Sequence, residues 1–441
     1  MNRSTERRVR IDRETLVDLE VLSTRRGDPG LAGLIDRTVT SRGHRALCHR
    51  LAAPPSDPDE IRAAQEAIRF LGDHPRLLRI DDAMLEEAAA YLDSNIAIGG
   101  SSRWRSRVEH VDLAVVHRDV LRELRRGMRT VAGVCERAAL VAAGIAERDP
   151  PAMLAEFAER LQETAERVAQ AFDLGGGPPR TDRALRRDMR EEILGALDLL
   201  GEIDALAGMA EATRAHGWAF PEIVAGDAFL LEAEGLLHPF LPDGVGNPAA
   251  LGDGITVVFL SGPNMAGKTT WLRAVATSVL LAQTGMGVPA ARMRLVPVEV
   301  LVASLSPSDD LAHGKSTFLS ELERVRSAAV HLAEGRRALL LFDEIFRGTN
   351  LRDALDASRE VILGLAASRR GGIVVASHLA ELAEALRDVA GIRFLRFEGD
   401  AEEGVLRWSY RLQEGVSDQR LGMALLRQVG IPELLARIRD A

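Results

Sequence analysis

The spacing of hydrophobic positions divides the chain into two halves. In residues 1–215, leucine, alanine and charged residues recur at the spacing of amphipathic helices, and runs of β-branched residues are few. The glycine- and proline-rich sequence 175–179 separates helical stretches near residues 149–173 and 181–215. These two stretches are predicted to form a long antiparallel helical pair closed by a tight turn.

Short β-type runs alternate with helical segments in residues 216–441. The runs span Ile255–Leu260, Ala338–Phe342 and Ile373–Ala376. This alternation predicts a mostly parallel sheet covered by helices. The expected architecture is therefore an all-α domain over residues 1–215, followed by an α/β domain over residues 216–441.

The composition narrows the class of protein. The 441 residues carry a formal net charge of −9 and contain two cysteines, which fits a reducing compartment rather than a disulfide framework. The polar N-terminus lacks the apolar run of a secretory signal, and charges interrupt the apolar runs before they reach the about 18 residues of a membrane span. We expect a cytoplasmic protein without a membrane partner, and any nucleic-acid contact must be a local patch.

Residues 262–269 read GPNMAGKT and match the phosphate-loop (P-loop) pattern GxxxxGK[ST]. They lie between a predicted strand and a predicted helix, as that pattern requires. Glycines let successive backbone N–H groups face phosphate oxygens, and the following helix N-terminus adds its dipole. The sequence predicts an ATP site whose binding residues are Gly262, Pro263, Asn264, Met265, Ala266, Gly267, Lys268, Thr269 and Thr270.

Within this loop, Lys268 is expected to reach the outer phosphates and Thr269 to ligate Mg²⁺. Among 56 basic residues only Lys268 and Lys315 are lysines. A compact ammonium binds where the planar fork of arginine cannot. The retention of lysine at these two positions therefore favours phosphate contacts over chance.

Acidic residues follow the predicted strand that ends at Phe342. Asp343 is expected to hold the Mg²⁺ shell, and Glu344 to orient or deprotonate the attacking water. Taken alone, such a pair more often starts a solvated loop, but its place downstream of a P-loop favours the catalytic interpretation. His378 follows another strand of the same sheet and is a third catalytic candidate on the γ-phosphate side, with a structural role equally open.

These motifs, taken in order, resemble those of the MutS family of DNA mismatch-repair ATPases. Residues 261–270 are similar to the P-loop segment of the family, and residues 309–321 to its signature segment. Residues 343–349 are similar to its DEIGRGT motif, residues 377–382 to its THxxEL motif, and residues 415–422 to its closing helix-turn-helix segment. Arg420 stands where the family pattern has serine. Upstream, parts of residues 15–61 and 204–239 resemble the family's helical core and lever.

The resemblance implies an ABC-type ATPase domain that works as a homodimer, with the two ATPase domains facing each other. It further implies that the C-terminal helix-turn-helix segment, residues 415–422 followed by 430–432, serves dimerisation. It also implies that Ser316, beside Lys315, acts in trans on the γ-phosphate of the partner subunit. A helix N-cap at Ser316 or Thr317 is the structural alternative, and the two roles are compatible.

The chain begins where the core domain of the family begins. We therefore expect the mismatch-reading and connector domains to be absent. The stretch from core to P-loop is also shorter than in the family, so we expect the DNA-gripping clamp to be reduced or absent, with residues 175–179 capping the lever.

Two functions are left open. The first is a MutS-like DNA-dependent ATPase that couples ATP binding and hydrolysis to lever motion and dimerisation, in DNA mismatch repair or recombination, on structured or branched DNA. The second is an ATP-gated dimerisation switch that acts on protein partners, such as repair proteins, and binds little DNA. Arginines around Trp104 and between Arg180 and Arg190 are candidates for phosphate contacts, although ordinary solvated faces are the commoner meaning.

Overall fold

The computed structural model describes residues 8–22, 30–94, 118–173, 177–305, 317–346, 349–402, 405–417, 419, 426 and 429–439. By its internal contacts the chain divides into two compact units. The helical unit comprises Ile35–Arg50 and Ala63–Ala215, and the sheet unit comprises Met1–Leu34, Leu51–Arg62 and His216–Ala441. The domain boundary at residue 215 stays a prediction. The internal contacts assign two segments before it, Met1–Leu34 and Leu51–Arg62, to the sheet unit.

The helices, in chain order, are α1 (Arg13–Asp18), α2 (Gly30–Ile35), α3 (Ser41–Ala52), α4 (Pro58–Asp73), α5 (Asp82–Asp93), α6 (Arg118–Ala146), α7 (Ala152–Asp173), α8 (Pro178–Arg183), α9 (Arg190–Ala215), α10 (Lys268–Thr284), α11 (Thr317–Ala333), α12 (Leu351–Ala366), α13 (Ala380–Leu386) and α14 (Ile431–Arg439). Among the described residues, no helix is both long enough and apolar enough to cross a bilayer.

Helices α6 and α7 pack together because each carries an apolar stripe. Leu121, Leu124 and Met128 of α6 are buried, as are Leu154 and Leu161 of α7, all at helical spacing. The predicted partner of α7 was the stretch 181–215, but α7 packs more extensively against α6 than against α9. Helix α7 thus contacts both helices, so its pairing with the stretch 181–215 stays a prediction, and its contact with α6 was not predicted.

The stretch 181–215 is also not one helix. A π-helical turn, Ala184–Asp188, separates α8 from α9. Beside this turn the buried Asp182 accepts hydrogen bonds from the Tyr91 hydroxyl at 2.7 Å and from Nε of Arg186 at 2.9 Å. Gly175 and Gly176 of the predicted tight turn lie outside the described residues, whereas Gly177 precedes α8 with a φ of 81°.

A buried carboxylate fastens the start of α3 to α9. Asp204 of α9 accepts hydrogen bonds from the backbone N–H groups of Val39 and Thr40, at 3.1 and 2.8 Å, and from the Thr40 hydroxyl at 2.6 Å. A Cβ at Gly43 would lie 2.1 Å from Oδ2 of Asp204, so glycine is needed for this approach. The network supplies the partners that a buried carboxylate requires.

The strands are β1 (Arg10–Ile11), β2 (Glu222–Ile223), β3 (Leu231–Leu236), β4 (Asn247–Leu251), β5 (Val257–Ser261), β6 (Arg292–Leu295), β7 (Val300–Ser304), β8 (Ala338–Asp343), β9 (Gly371–Ala376), β10 (Ile392–Glu402) and β11 (Val405–Glu414). One sheet has the order β1-β7-β8-β9-β5-β10-β11, and a second has the order β2-β6-β3-β4. In the larger sheet every pair is parallel except β10 with β11.

The larger sheet confirms the predicted α/β architecture with mostly parallel strands. Its central strands β5 and β9 are buried along their whole length, as expected of a sheet covered on both faces. Strand β1 is an exception to the predicted all-helical N-terminal region. It forms the edge of the sheet beside β7. The Arg10 N–H donates to the carbonyl of Glu299 at 2.9 Å, and Arg10 is paired in register with Val300.

We predict that Asp204→Ala lowers the free energy of unfolding by about 3 kcal/mol, because it leaves buried donors on Val39 and Thr40 without an acceptor. Asp198→Ala is the matched control on the same helix. Asp198 is 71% exposed and pairs with Arg42, so its loss should cost at most about 1 kcal/mol. Urea unfolding of both variants measures the difference, and equal losses would contradict the assignment.

Candidate nucleotide site

The loop between β5 and α10 contains the predicted phosphate-binding residues. Gly262, Met265 and Gly267 have φ angles of 142°, 70° and 111°, in the region that favours glycine. A Cβ at Gly262 would lie 2.6 Å from the carbonyl oxygen of Phe397, so this position accepts glycine alone. Helix α10 begins directly after the loop, at Lys268, so its N-terminal N–H groups lie beside the loop.

The Lys268 side chain lies inside the curve of this loop. It is 5% exposed, and its Nζ donates to the carbonyl oxygens of Gly262 at 2.6 Å and Pro263 at 3.1 Å. An ammonium has three N–H donors. These two hydrogen bonds satisfy two of them and offset most of the desolvation free energy of the buried charge. The loop thus holds a positive charge at the place where a phosphate chain is expected.

Thr269 and Asp343 meet across the site. The Thr269 hydroxyl donates to Oδ2 of Asp343 at 2.5 Å. Two neighbouring ligands of octahedral Mg²⁺, at bond lengths of about 2.1 Å, lie about 3 Å apart, and both of these groups offer hard oxygen atoms. The pair therefore fits Mg²⁺. Within the described residues, no group of three or more His, Cys, Asp or Glu side chains is arranged to hold a metal.

Glu344 and His378 form a second pair. Nδ1 of His378 lies 2.9 Å from Oε1 of Glu344, and the two side chains are 61% and 17% exposed. Since a carboxylate can only accept, Nδ1 carries the proton of this bond. The backbone of Glu344 has a φ of 61° and is held by its N–H, which donates to the carbonyl of Ala376 at 2.9 Å. Such a conformation costs on the order of 1 kcal/mol and is typical of functional sites.

The loop, Asp343 and Glu344 surround one cavity of about 1030 Å³. Among the predicted site residues, those that line it are Pro263, Asn264, Met265, Gly267, Lys268, Thr269, Thr270, Asp343 and Glu344. Ala266 of the loop is fully buried. Gly262, with its positive φ, is the residue at which the chain leaves β5 and enters the loop. His378 contacts Glu344 instead of lining the cavity.

An aromatic wall of the cavity was not predicted from the sequence. His238 and Phe240 lie on it with ring centroids 5.7 Å apart, and the Phe240 N–H donates to Nδ1 of His238 at 3.3 Å. Burial, with a smaller contribution from the charge of Arg273, lowers the pKa of His238 to about 4. The ring is therefore neutral at physiological pH.

A further part of the rim is held by an amide. Nδ2 of Asn247 donates to the carbonyl of Tyr410 at 2.9 Å, and its Oδ1 accepts from the N–H of Leu412 at 2.8 Å. These bonds hold Tyr410 at the cavity in a left-handed conformation with a φ of 53°. The polarity of Asn247 and the aromatic character of His238 and Phe240 are weak signals in a sequence, because nothing local relates them to the loop.

Some predicted residues lie outside the part of the chain that the structure describes. They are Ser316 and Lys315 of the signature segment, Arg420, and the arginines around Trp104. Their roles stay predictions. The structure does place Leu305 directly after β7, and Thr317, which belongs to the signature segment, at the start of α11.

Family models match both halves of the chain. The model described as MutS domain III matches residues 14–210, and the model described as MutS domain V matches residues 258–440. The second match includes the loop, Asp343, Glu344 and His378.

Relatives called DNA mismatch repair protein MutS also match. The protein from Paracoccus denitrificans (strain Pd 1222) is 27% identical over 550 residues, which covers 98% of this chain and 61% of the relative. The protein from Dinoroseobacter shibae is 25% identical with the same coverage. The protein from Aquifex pyrophilus is 30% identical over 263 residues, or 57% of this chain and 30% of the relative. The chain thus spans less than two thirds of the length of these relatives. Its sequence, from the helical region to the nucleotide loop and beyond, belongs to the MutS family.

Proposed function

We propose that this chain is a P-loop ATPase, which binds ATP with Mg²⁺ in the cavity and hydrolyses it to ADP and phosphate. One observation carries the proposal. The Lys268 ammonium, the Thr269–Asp343 oxygen pair and the Glu344–His378 pair converge at one edge of the sheet. Phosphoryl transfer depends on positioned cations, hard oxygen ligands and an oriented nucleophile, rather than on covalent chemistry by the protein.

Phosphate binding in this proposal exchanges internal partners for the ligand. Lys268 moves from the carbonyls of Gly262 and Pro263 to the outer phosphate oxygens, while the loop N–H groups and the start of α10 bind the rest of the chain. Thr269 and Asp343 hold Mg²⁺. When bound, the ion neutralises charge on the phosphate oxygens.

Glu344 orients the attacking water and accepts its proton. His378 holds one carboxylate oxygen of Glu344 and so fixes the orientation of the carboxylate toward the water. His378 is thus a positioning residue in this proposal. On the other side of the cavity, the neutral ring of His238 and the ring of Phe240, tilted relative to each other by 35°, offer aromatic faces on which a nucleobase stacks.

A homodimer is part of the proposal. Helix α14 and the residues before it expose an apolar face, made by Val429, Ile431, Leu434, Leu435 and Ile438. Ile438 is 71% exposed, and such a cluster of large apolar side chains is typical of an interaction surface. The resemblance assigns this region to dimerisation, and a second copy of the chain is the occupant that we propose. Ser316 then acts on the nucleotide of the partner subunit.

We propose structured or branched DNA as the target of the helical unit, in DNA mismatch repair or recombination. The 550-residue span aligned with the Paracoccus relative exceeds the 441 residues of this chain, so that relative contains extra residues within it. This supports a reduced or absent clamp. ATP-driven lever motion would then report on DNA shape.

A second candidate function is favoured by the pairing of arginines between Arg180 and Arg190. Arg186 pairs with Asp182, and Arg190 pairs with Asp93. Charges neutralised within the chain attract phosphates less strongly. This observation favours an ATP-gated dimerisation switch that acts on protein partners. Arg183 and Arg187 are the members of the cluster to test for DNA binding.

We predict that Lys268→Ala abolishes binding of Mg²⁺-ATP. Lys268→Arg should fail as well, because the planar guanidinium does not fit inside a loop that buries a compact ammonium. Titration with a fluorescent ATP analogue measures the loss, and the melting temperature reports whether the variants fold. Tight binding by a folded Lys268→Ala variant would remove the P-loop assignment.

We predict that Glu344→Gln still binds ATP but hydrolyses it at least about 100-fold more slowly, because the amide cannot accept the proton of water. The variant should accumulate as an ATP-bound dimer in analytical ultracentrifugation. His378→Ala should reduce turnover less, since His378 positions Glu344. Wild-type turnover by Glu344→Gln would exclude Glu344 as the water-orienting group.

Measurements of ATPase rate and dimer fraction distinguish the DNA-dependent ATPase from the nucleotide switch. They are made with duplexes, forks and four-way junctions at low and near-physiological salt. We predict that branched DNA changes turnover, that salt weakens the effect, and that Arg183→Ala/Arg187→Ala reduces it. Arg352→Ala, an exposed arginine of α12, is the control. If no DNA changes turnover while ATP still drives dimerisation, the chain is a nucleotide switch and its partners are proteins.

A further inference from the structure

Two side chains of the N-terminal segment hold the end of strand β7. Oδ2 of Asp18 accepts a hydrogen bond from the N–H of Leu305 at 2.8 Å, and the Thr15 hydroxyl accepts one from the N–H of Ala303 at 3.0 Å. Thr15 is fully buried and Asp18 is 7% exposed. These bonds supply acceptors to backbone groups at the point where β7 leaves the sheet.

Arg324 of α11 completes this cluster from the other side. Its Nη2 donates to the carbonyl of Ala303 at 2.5 Å. Its guanidinium lies 3.1 Å from the carboxylate of Glu14, 3.6 Å from that of Asp12 and 3.7 Å from that of Asp18, and the side chain is 10% exposed. A nearly buried guanidinium among three carboxylates has one well-defined position. Helices α1 and α11 are therefore both fastened to the end of β7.

The fastened end reaches the nucleotide cavity. Leu305 lines the cavity beside Asp343 and Glu344. Ser304 pairs in register with Phe342, so the next residues along the two parallel strands are neighbours. A shift of the β7 end therefore changes the wall against which the Asp343–Glu344 turn packs. Lys268 lies on a different strand connection, after β5.

Resting on the ATPase function proposed above, we propose that Asp18, with Thr15 and Arg324, is a positioning residue for ATP hydrolysis. It holds the end of β7, and through it the turn that carries Asp343 and Glu344. The phosphate loop follows β5 rather than β7 and meets this turn through the Thr269–Asp343 hydrogen bond, so loss of the anchor slows the chemical step much more than it weakens nucleotide affinity. Misplacement of a reacting group by about 1 Å costs up to about 100-fold in rate.

The test compares Asp18→Ala, Asp18→Asn and Thr15→Val in the full chain. We expect Asp18→Ala to lower kcat about tenfold or more while the Kd for Mg²⁺-ATP changes less than about threefold. Asp18→Asn keeps an oxygen that accepts from the Leu305 N–H, so it should restore most of kcat. Hydrogen exchange of the peptide covering residues 300–305 should accelerate in Asp18→Ala and not in Asp18→Asn.

Glu384→Gln is the control, because Glu384 makes an exposed ion pair with Arg387 in the same unit. Should Asp18→Ala fail to fold, Thr15→Val tests the same anchor through the Ala303 N–H. The inference is wrong if the folded variants keep wild-type kcat, if kcat and affinity fall together, or if Asp18→Asn is as slow as Asp18→Ala. Absence of turnover in the wild-type chain, or indifference to Glu344→Gln, would instead overturn the ATPase proposal, and hydrogen exchange would still test the anchor.

Discussion

The register of the parallel strands β5, β9 and β8 places the candidate catalytic groups at one edge of the sheet. Leu260, Ala376 and Asp343 lie in one row across these strands. The phosphate loop, the Asp343–Glu344 turn and His378 all follow this row, so they emerge together although they are far apart in sequence. A slip of one residue in any pair would reverse the face of every side chain on the shifted strand and separate these groups.

The groups at this edge are already held in place by internal partners. Lys268 is bonded to loop carbonyls, Thr269 to Asp343, and Glu344 to His378. The bonds of Lys268 satisfy an ammonium that is buried and would otherwise destabilise the fold. The Glu344–His378 bond also holds the carboxylate in one orientation, which reduces the reorganisation needed during reaction. The left-handed backbone at Glu344 is a local cost of this arrangement.

In the helical unit, hydrogen bonds likewise satisfy buried polar groups, and there they hold helices together. Asp204 is buried and satisfied by backbone donors of Val39 and Thr40, and Asp182 is satisfied by Tyr91 and Arg186. These carboxylates fix how helices meet, since each accepts bonds from a segment distant in sequence. Arginines used in this way have less charge to offer a nucleic acid, which is why membership of the MutS family does not by itself settle the DNA contact.

The sequence alone determined the α/β class with a mostly parallel sheet, the family, and the position of the GPNMAGKT loop between a strand and a helix. These are local properties, because backbone preference and hydrophobic periodicity act over a few neighbouring residues. Only the tertiary structure decided that β1 joins the sheet edge, that α7 packs on α6, that His238 and Phe240 form a wall of the cavity, and that Asp18 bonds to Leu305. In each case no local sequence pattern specifies the partner. The polar contacts arise because folding buries groups where water is excluded and a hydrogen-bond partner is required, and the helix contact arises because two apolar stripes bury each other.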